Sequence, residues 1–254
     1  MHDVGLVLSG GGVRGVAHLG VIKALEENDV HISAISGASA GAIIGTFYAA
    51  GFSVERILEI ITEIKTARFL QLAMSWKGVL KMDAINKFIS KHLKEDTFES
   101  LKIPLYAAAT NIKTGKTTYF DKGPLVPAIC ASSCIPVLFD PVAFDGQLYV
   151  DGGILNNLPV EPIREKCALV IASHSNPVDS DYDAKNAKDV MERSLMMAIT
   201  CNVYSRRHLC DYFIEPAGLE EYKVLDINKA EEIFKIGYQE AITYLEHSDL
   251  KDRL

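Results

Sequence analysis

Two glycine-rich segments each connect an apolar run of strand length to a run with helical periodicity. The pattern predicts a strand Val4–Leu8 before a helix Arg14–Glu27, and a strand Ile32–Ile35 before a helix Ala40–Ala49. Strands and helices that alternate in this way form parallel sheets with right-handed crossover connections. The sequence therefore predicts an α/β fold, namely a three-layer α/β/α sandwich with a mostly parallel central sheet.

The rest of the chain continues this alternation. Positions 53–94 have helical periodicity, and a β-hairpin is predicted over Leu105–Asn111 and Thr117–Phe120. Further predicted elements are a short helix near Val160–Glu165, a strand Leu169–Ala172, a long helix Ala187–Arg207, a strand Tyr212–Ile214 and a last helix Ile227–Leu245. No repeat, low-complexity tract or flexible linker divides them. We therefore expect a single domain over residues 1–254.

Charge and composition exclude several classes of protein. The net charge of −7, with no Lys/Arg run longer than Arg206-Arg207, argues against nucleic-acid binding. The five cysteines lack C-x-x-C spacing and no histidine pair has metal-ligand spacing, so we expect reduced thiols, no metal and no cofactor. No apolar stretch reaches the roughly 18 residues of a spanning helix, and no leader is recognisable. These features predict a cytoplasmic protein with at most peripheral contact to the inner membrane face, and they leave its oligomeric state open.

The segment Gly37-Ala38-Ser39-Ala40-Gly41 is a G-x-S-x-G motif that directly follows a predicted strand and directly precedes a predicted helix. That context is typical of a nucleophile turn, in which small neighbours allow a tight strand-to-helix connection that exposes the serine hydroxyl. A helix N-terminus beneath Ser39 would offer amide hydrogens to a developing oxyanion. The plainer alternative is a helix start with Ser39 as its cap. The motif favours Ser39 as a nucleophile.

The segment Gly10-Gly11-Gly12-Val13-Arg14-Gly15 also lies between a strand and a helix. A dinucleotide fingerprint needs an acidic residue at the end of the second strand, whereas that strand ends in Ser36 and leads into the G-x-S-x-G motif. Backbone N–H groups of a glycine loop beside a nucleophile suit an oxyanion hole, which we assign to Gly11, Gly12 and Val13.

Arg14 is unexpected in the first turn of a helix, where a cation opposes the helix dipole by roughly 0.3–1 kcal/mol. Two interpretations compensate for this cost equally well. Arg14 either holds the glycine loop or attracts a lipid phosphate, or else it forms an ordinary salt bridge with a nearby carboxylate.

The segment Asp151-Gly152-Gly153 follows a β-rich stretch, so its carboxylate lies at a strand end with room to approach another loop. By itself, such a position is more often a simple turn aspartate. Histidines offer an alternative base: His18 lies within the first helix and His174 follows a predicted strand. A core or surface role is the more common interpretation of both.

The order of these motifs, G-G-G-x-R-G, then G-x-S-x-G, then D-G-G, resembles the patatin-like phospholipase family. The resemblance extends to Ala131–Pro136, similar to the family's A-S-x-x-x-P segment, and to Ala109-Thr110-Asn111 with Thr114-Gly115, similar to its central hairpin. Positions 211–216 and 236–238 resemble the bacterial branch related to neuropathy target esterase. The resemblance covers residue 4 to about residue 245, and we expect no appended regulatory or membrane domain.

The resemblance implies a patatin-like fold and hydrolysis of acyl esters in phospholipids, lysophospholipids or related lipids through an acyl-enzyme. It implies Ser39 as nucleophile, Asp151 as base and the Gly10–Gly15 loop as oxyanion hole, with Gly37, Gly41, Gly152 and Gly153 as supporting motif residues. An aspartate starts about 3.5 kcal/mol worse than a histidine as a base, so burial must raise its pKa. Two alternatives remain: a carboxylesterase or thioesterase acting on shorter acyl groups, and a non-catalytic binding module.

The segment 66–82 concentrates apolar residues with the cations Arg68, Lys77 and Lys81, and it contains the only tryptophan, Trp76. This pattern suits a lipid-docking lid that borders the mouth of the Ser39 site. Packing of the same apolar stripe on the core is the more common alternative.

Overall fold

The computed structural model describes residues 3–63, 82–136, 138–178, 183, 186–224 and 227–253. The described residues form an eight-stranded sheet with the order β5-β6-β3-β2-β1-β7-β8, and β4 pairs with β3. The strands are β1 (Val4–Leu8), β2 (Ile32–Ala38), β3 (Leu105–Asn111), β4 (Lys116–Phe120), β5 (Val142–Phe144), β6 (Gln147–Asp151), β7 (Leu169–Ser173) and β8 (Tyr212–Ile214). The five strands from β3 to β8 in this order are parallel, and antiparallel pairing is confined to the β3–β6 side.

Helices connect these strands and cover the sheet. They are α1 (Ala17–Glu27), α2 (Ala40–Ala49), α3 (Val54–Glu63), α4 (Asp83–His92), α5 (Leu125–Ser132), α6 (Gly153–Asn156), α7 (Glu161–Arg164), α8 (Ala187–Tyr204), α9 (Ala230–His247) and α10 (Leu250–Arg253). No described helix is long and apolar enough to cross a membrane. The segment of the proposed docking lid, 66–82, lies outside the described residues except for Met82.

The central strand β1 shows why helices cover both faces of the sheet. All of its residues are buried, and successive side chains of a strand point to opposite faces. Leu6 and Leu8 belong to a large core cluster with α1, α2, α3 and α9, whereas Val7 belongs to a second cluster with α7 and Val203 of α8. A strand that is apolar on both faces requires a layer on each side. The predicted three-layer α/β/α architecture is confirmed.

Strand β3 explains how the two halves of the chain meet. Its residues 105–108 pair with β2, and its residues 109–111 pair with β6, while β4 pairs with residues 107–111. Because the residues that pair with β4 overlap both those that pair with β2 and those that pair with β6, β2 and β6 must share the other edge of β3. Ala38 pairs with Ala108 and Asp151 pairs with Ala109, so Asp151 follows directly beyond the end of β2.

Most predicted elements are present, and the differences concern their ends. Strand β2 runs on to Ala38 because Gly37 and Ala38 pair with β3, so the first half of the G-x-S-x-G motif is strand. The turn Gly12–Val16 is a 3₁₀-helix that precedes α1, and α8 ends at Tyr204. Helix α5 was not predicted, because its residues are apolar on all sides and lack a helical stripe.

Candidate functional site

Ser39 lies at the sharp turn between β2 and α2, in a backbone conformation that disfavours side chains. Its φ of 51° and ψ of −121° are otherwise typical of glycine, and holding a serine there costs roughly 1–3 kcal/mol. The turn is tight because a methyl group at Gly37 would come within 2.7 Å of the Gly41 backbone. Ser39 therefore occupies the N-cap position of α2, where the helix dipole favours negative charge.

Two serines at the end of α5 hold this turn. The Ser132 hydroxyl accepts a hydrogen bond from the Ser39 N–H at 3.0 Å and donates one to the Ala108 carbonyl at 2.6 Å. The Ser133 hydroxyl donates to the Ser39 carbonyl at 3.3 Å. These contacts connect Ser39 to β3 and α5. The A-S-x-x-x-P segment carried this signal in the sequence, but without a role for either hydroxyl.

Asp151 ends β6 and is almost completely buried. Its Oδ1 accepts a hydrogen bond of 2.8 Å from the Gly153 N–H, and its Oδ2 has no hydrogen-bond partner among the described residues. Burial raises the pKa of Asp151 from 3.8 to about 6, against the opposing effects of the Ser39 side chain and the Gly153 amide. The Asp151 side chain thus lies close enough to Ser39 for the serine to affect its pKa, and its proton affinity is close to that of a histidine.

The glycine loop passes beside Ser39. A methyl group at Gly10 would lie 3.0 Å from the Ser39 Cβ. Asn157, just after α6, fastens this residue with both ends of its amide: its Oδ1 accepts from the Gly10 N–H at 2.9 Å, and its Nδ2 donates to the Gly10 carbonyl at 3.3 Å. Asn157 was not predicted as a site residue, although its place shortly after D-G-G was a usable signal.

The three residues assigned to the oxyanion hole differ in their hydrogen bonding. The N–H of Val13 donates to the Val224 carbonyl at 2.7 Å, so it is not a free donor in this arrangement. Within the described part of the chain, the N–H groups of Gly11 and Gly12 donate no hydrogen bond. Of the three amides that the sequence assigns to the oxyanion hole, the Val13 N–H is therefore already hydrogen-bonded, because the remote segment that contains Val224 packs on the loop.

Arg14 joins this loop to two other segments. Its Nε donates to the Tyr222 carbonyl at 2.7 Å and its Nη2 to the Glu220 carbonyl at 3.0 Å. Its Nη1 donates to Asn176 Oδ1 at 3.0 Å and to the Pro177 carbonyl at 3.3 Å. These contacts favour the interpretation in which Arg14 holds the loop. The attraction of a lipid phosphate by Arg14 stays a prediction.

The two histidines bond to other partners. His18 is fully buried, with Nε2 2.8 Å from the Ser9 carbonyl and Nδ1 2.7 Å from the Ser173 hydroxyl, and burial lowers its pKa to about 4. The Nδ1 of His174 lies 3.3 Å from the Ser9 hydroxyl, and burial lowers the pKa of His174 to about 3. Both rings support the strand that leads into the glycine loop.

An apolar cavity of about 170 Å³ opens beside Ser39. Its walls combine the glycine loop with aliphatic and aromatic side chains, among them Gly12, Val13, Ile43, Ile61, Phe88, Phe139, Val224 and Ile227. A larger groove of about 520 Å³ between α1, α3 and α9 contains none of the predicted site residues. Among the described residues, no three His, Cys, Asp or Glu side chains come together as a metal site.

Replacing Gly12 by alanine is expected to lower the stability of the protein by more than the cost of placing an alanine in a left-handed backbone conformation. Gly12 has a φ of +58°, and a methyl group there would lie 2.4 Å from the Val224 carbonyl oxygen. Gly218, with a φ of +84°, has open space around the same position and is a matched control. We expect about 1 kcal/mol of destabilisation for Gly218→Ala and at least about twice that for Gly12→Ala, measured by urea unfolding. Equal losses would show that Val224 yields without cost.

The fold and the site together define an α/β protein with a serine–aspartate pair at the carboxyl edge of its sheet. A family model described as patatin-like phospholipase matches residues 6–164. The chain belongs to the patatin-like phospholipase family.

Curated relatives extend the similarity. The chain is 40% identical over 162 residues to an NTE family protein of Mycobacterium tuberculosis, covering 63% of this chain and 45% of that protein. It is 27% identical to the lysophospholipase NTE1 of Kluyveromyces lactis, covering 99% of this chain and 20% of that protein. For the human patatin-like phospholipase domain-containing protein 6 the values are 28%, 94% and 20%. The chain thus spans less than half the length of these relatives.

Among solved structures, VipD from Legionella pneumophila has a similar fold. The TM-score is 0.58 at 16% sequence identity, and the similarity covers 96% of this chain and 67% of that one.

Proposed function

We propose that this chain is a lipid acyl hydrolase that cleaves carboxylic esters of phospholipids or lysophospholipids through Ser39 and Asp151. The observation that carries the proposal is the buried carboxylate of Asp151 beside a strained serine: its Oδ2 has no hydrogen-bond partner among the described residues, and its pKa is raised to about 6. Perturbed pKa values of this kind mark functional sites, because burying an unsatisfied carboxylate costs stability.

In the proposed reaction, the Ser39 hydroxyl attacks the ester carbonyl carbon while Asp151 Oδ2 accepts its proton. The C–O bond to the leaving alcohol then breaks, the alcohol takes that proton, and an acyl-Ser39 ester remains. Water hydrolyses this ester by the same proton route. Oδ1 stays bonded to Gly153 and keeps the carboxylate oriented.

Burial of Asp151 removes most of the disadvantage that an aspartate has as a base, namely its low pKa. Raising its pKa from 3.8 to about 6 is worth about 3 kcal/mol, which offsets most of the roughly 3.5 kcal/mol by which an ordinary aspartate falls short of histidine. The N–H groups of Gly11 and Gly12 would bind the oxyanion, with a contribution of roughly 3–4 kcal/mol per donor. Val13 would join them only if the Val224 carbonyl moved away.

The cavity beside Ser39 supports an acyl substrate. An apolar cavity of about 150 Å³ is large enough for benzene, so 170 Å³ accommodates about the first six or seven carbons of one acyl chain. Its apolar walls favour a hydrocarbon over a polar group. A carboxylesterase or thioesterase that acts on shorter acyl groups would use the same pair of residues with this cavity only partly filled.

A panel of soluble p-nitrophenyl esters, lysophospholipids and phospholipids tests the proposal. We expect kcat/KM for the esters to rise about fourfold for each added methylene until the chain fills the cavity, because each buried CH2 contributes about 0.8 kcal/mol. The kcat/KM for lysophospholipid should exceed the kcat/KM for short esters. A maximum at acetate or butyrate esters would favour the short-chain alternative, and no hydrolysis of any ester would contradict both.

A further inference from the structure

Helix α8 has an unusual distribution of exposed side chains. Its exposed residues in the described structure are Ala187, Val190, Met191, Ser194, Met197, Ala198, Cys201 and Tyr204, and none of them is charged. Val190, Met191 and Met197 are 51%, 54% and 55% exposed. Surface helices normally turn their charged residues to solvent. A contiguous apolar face on the outside of a protein marks an interaction surface.

The attachment of α8 places the last turns of this helix near the Ser39 site. The Asn202 Nδ2 donates to the Gly153 carbonyl, and Asn202 Oδ1 accepts from the Asn157 N–H at 2.8 Å. The Thr200 hydroxyl lies 3.4 Å from the carbonyl of Asn176, just after the end of β7. Helix α8 is thus attached at the carboxyl edge of the sheet through Gly153, which follows Asp151 by two residues in the sequence.

The described side chains in the part of α8 before Thr200 are only partly covered by the rest of the protein. Thr200 and Val203 are buried, whereas the described side chains of residues 187–199 are all exposed or half-buried. These residues amount to about 20 Å of helix at 1.5 Å per residue. An exposed helix with methionines at its surface can adapt to an irregular apolar partner.

We propose that the exposed face of α8, which we call the docking face, binds the surface of a lipid aggregate and brings the Ser39 site to it. This inference rests on the proposed lipid hydrolase function, since that function requires access to lipids that are held in membranes or micelles. Because the exposed residues that the structure describes in the docking face are uncharged, the face inserts apolar side chains and does not need anionic head groups. Binding to neutral phosphatidylcholine vesicles should therefore be insensitive to salt.

The test uses flotation with phosphatidylcholine vesicles and protein carrying Ser39→Ala, so that binding is scored without hydrolysis. Introducing Met191→Asp and Met197→Asp should weaken vesicle binding at least tenfold, at both low and high salt. The matched control, Gln239→Asp with Thr243→Asp, adds the same charge at exposed positions of α9 and should bind like the parent. In the Ser39 enzyme, the methionine variant should hydrolyse a soluble ester within twofold of the parent.

Each other outcome has a definite meaning. Absent binding by the parent, or equal binding by the methionine variant, overturns the docking face. A fall in molecular mass of the methionine variant in sedimentation equilibrium would instead assign the face to a second copy of the chain. Failure of the Ser39 enzyme to hydrolyse soluble esters would contradict the proposed function, whatever the vesicles show.

A second measurement tests vesicle binding without the methionine substitutions, in case the methionine variant does not fold. Cys201 is the exposed cysteine of the docking face, whereas Cys130, Cys134 and Cys167 are buried. An environment-sensitive fluorophore on Cys201 should shift to the blue when neutral vesicles are added. No shift would also overturn the proposal.

Discussion

Replacing Ser39 by alanine is expected to abolish ester hydrolysis and labelling by a phosphonate, with a loss in kcat of at least about 10⁴-fold. The hydroxyl would be both the attacking atom and the site of the acyl-enzyme, and no other group can replace it. Mass spectrometry of the phosphonate-labelled protein measures the result. Ser133→Ala is the control, because Ser133 lines the same cavity and should keep its labelling at Ser39. A phosphonate found on Ser133 would contradict the assignment.

The same position allows a comparison of activity with stability. Alanine keeps the strain of a φ of 51°, whereas glycine relieves it at an entropic cost of about 0.4–1 kcal/mol. Ser39→Gly should therefore be inactive and yet about 1 kcal/mol more stable than Ser39→Ala in urea unfolding. Equal stability of the two would mean that the nucleophile turn is not strained.

Replacing Asp151 by asparagine is expected to lower kcat/KM by about 10³–10⁴-fold, because an amide cannot accept the Ser39 proton. In the parent enzyme the carboxylate is charged above its pKa of about 6. A plot of kcat/KM against pH should therefore be level near pH 8 and fall tenfold per unit below about pH 6. The asparagine variant should lack this dependence.

The histidines provide the control for Asp151. Since the rings of His18 and His174 are bonded near Ser9, His18→Gln and His174→Gln should each cost less than about tenfold in kcat/KM. A loss at either histidine as large as that at Asp151 would place it in the proton path.

Asp151→Asn should also change stability with pH. Because the folded state raises this pKa, the neutral carboxyl is the favoured form, and its contribution to stability is lost as pH rises from about 4 through about 6. Removing the buried charge should stabilise the protein at pH 8 by up to about 3 kcal/mol, and this gain should vanish near pH 4. Urea unfolding at the two pH values measures the difference.

Local pattern was sufficient for much of the fold. The apolar runs of β1 and β7, and the helical periodicity of α1 and α9, predicted their type and approximate bounds, because period and turn residues depend on neighbours in sequence. Errors occurred where pairing or packing extended an element or changed its first turn. Strand β2 gained Gly37 and Ala38 through β3, and α5 carries no periodic stripe because it is buried on all sides.

The sequence by itself determined the class of fold, the strand-to-helix turn at Ser39, the glycine loop and the family, since each depends on a short contiguous pattern. The resemblance already implied Asp151, but only the tertiary structure gives the physical reason for its approach to Ser39, because β2 and β6 share one edge of β3. It also decided that burial raises the pKa of Asp151, that the Val224 carbonyl accepts the hydrogen bond of the Val13 N–H, and that the exposed residues of α8 in the described part of the chain are uncharged. These properties arise between segments far apart in the chain, where the environment of a side chain is set by packing and no local pattern records it.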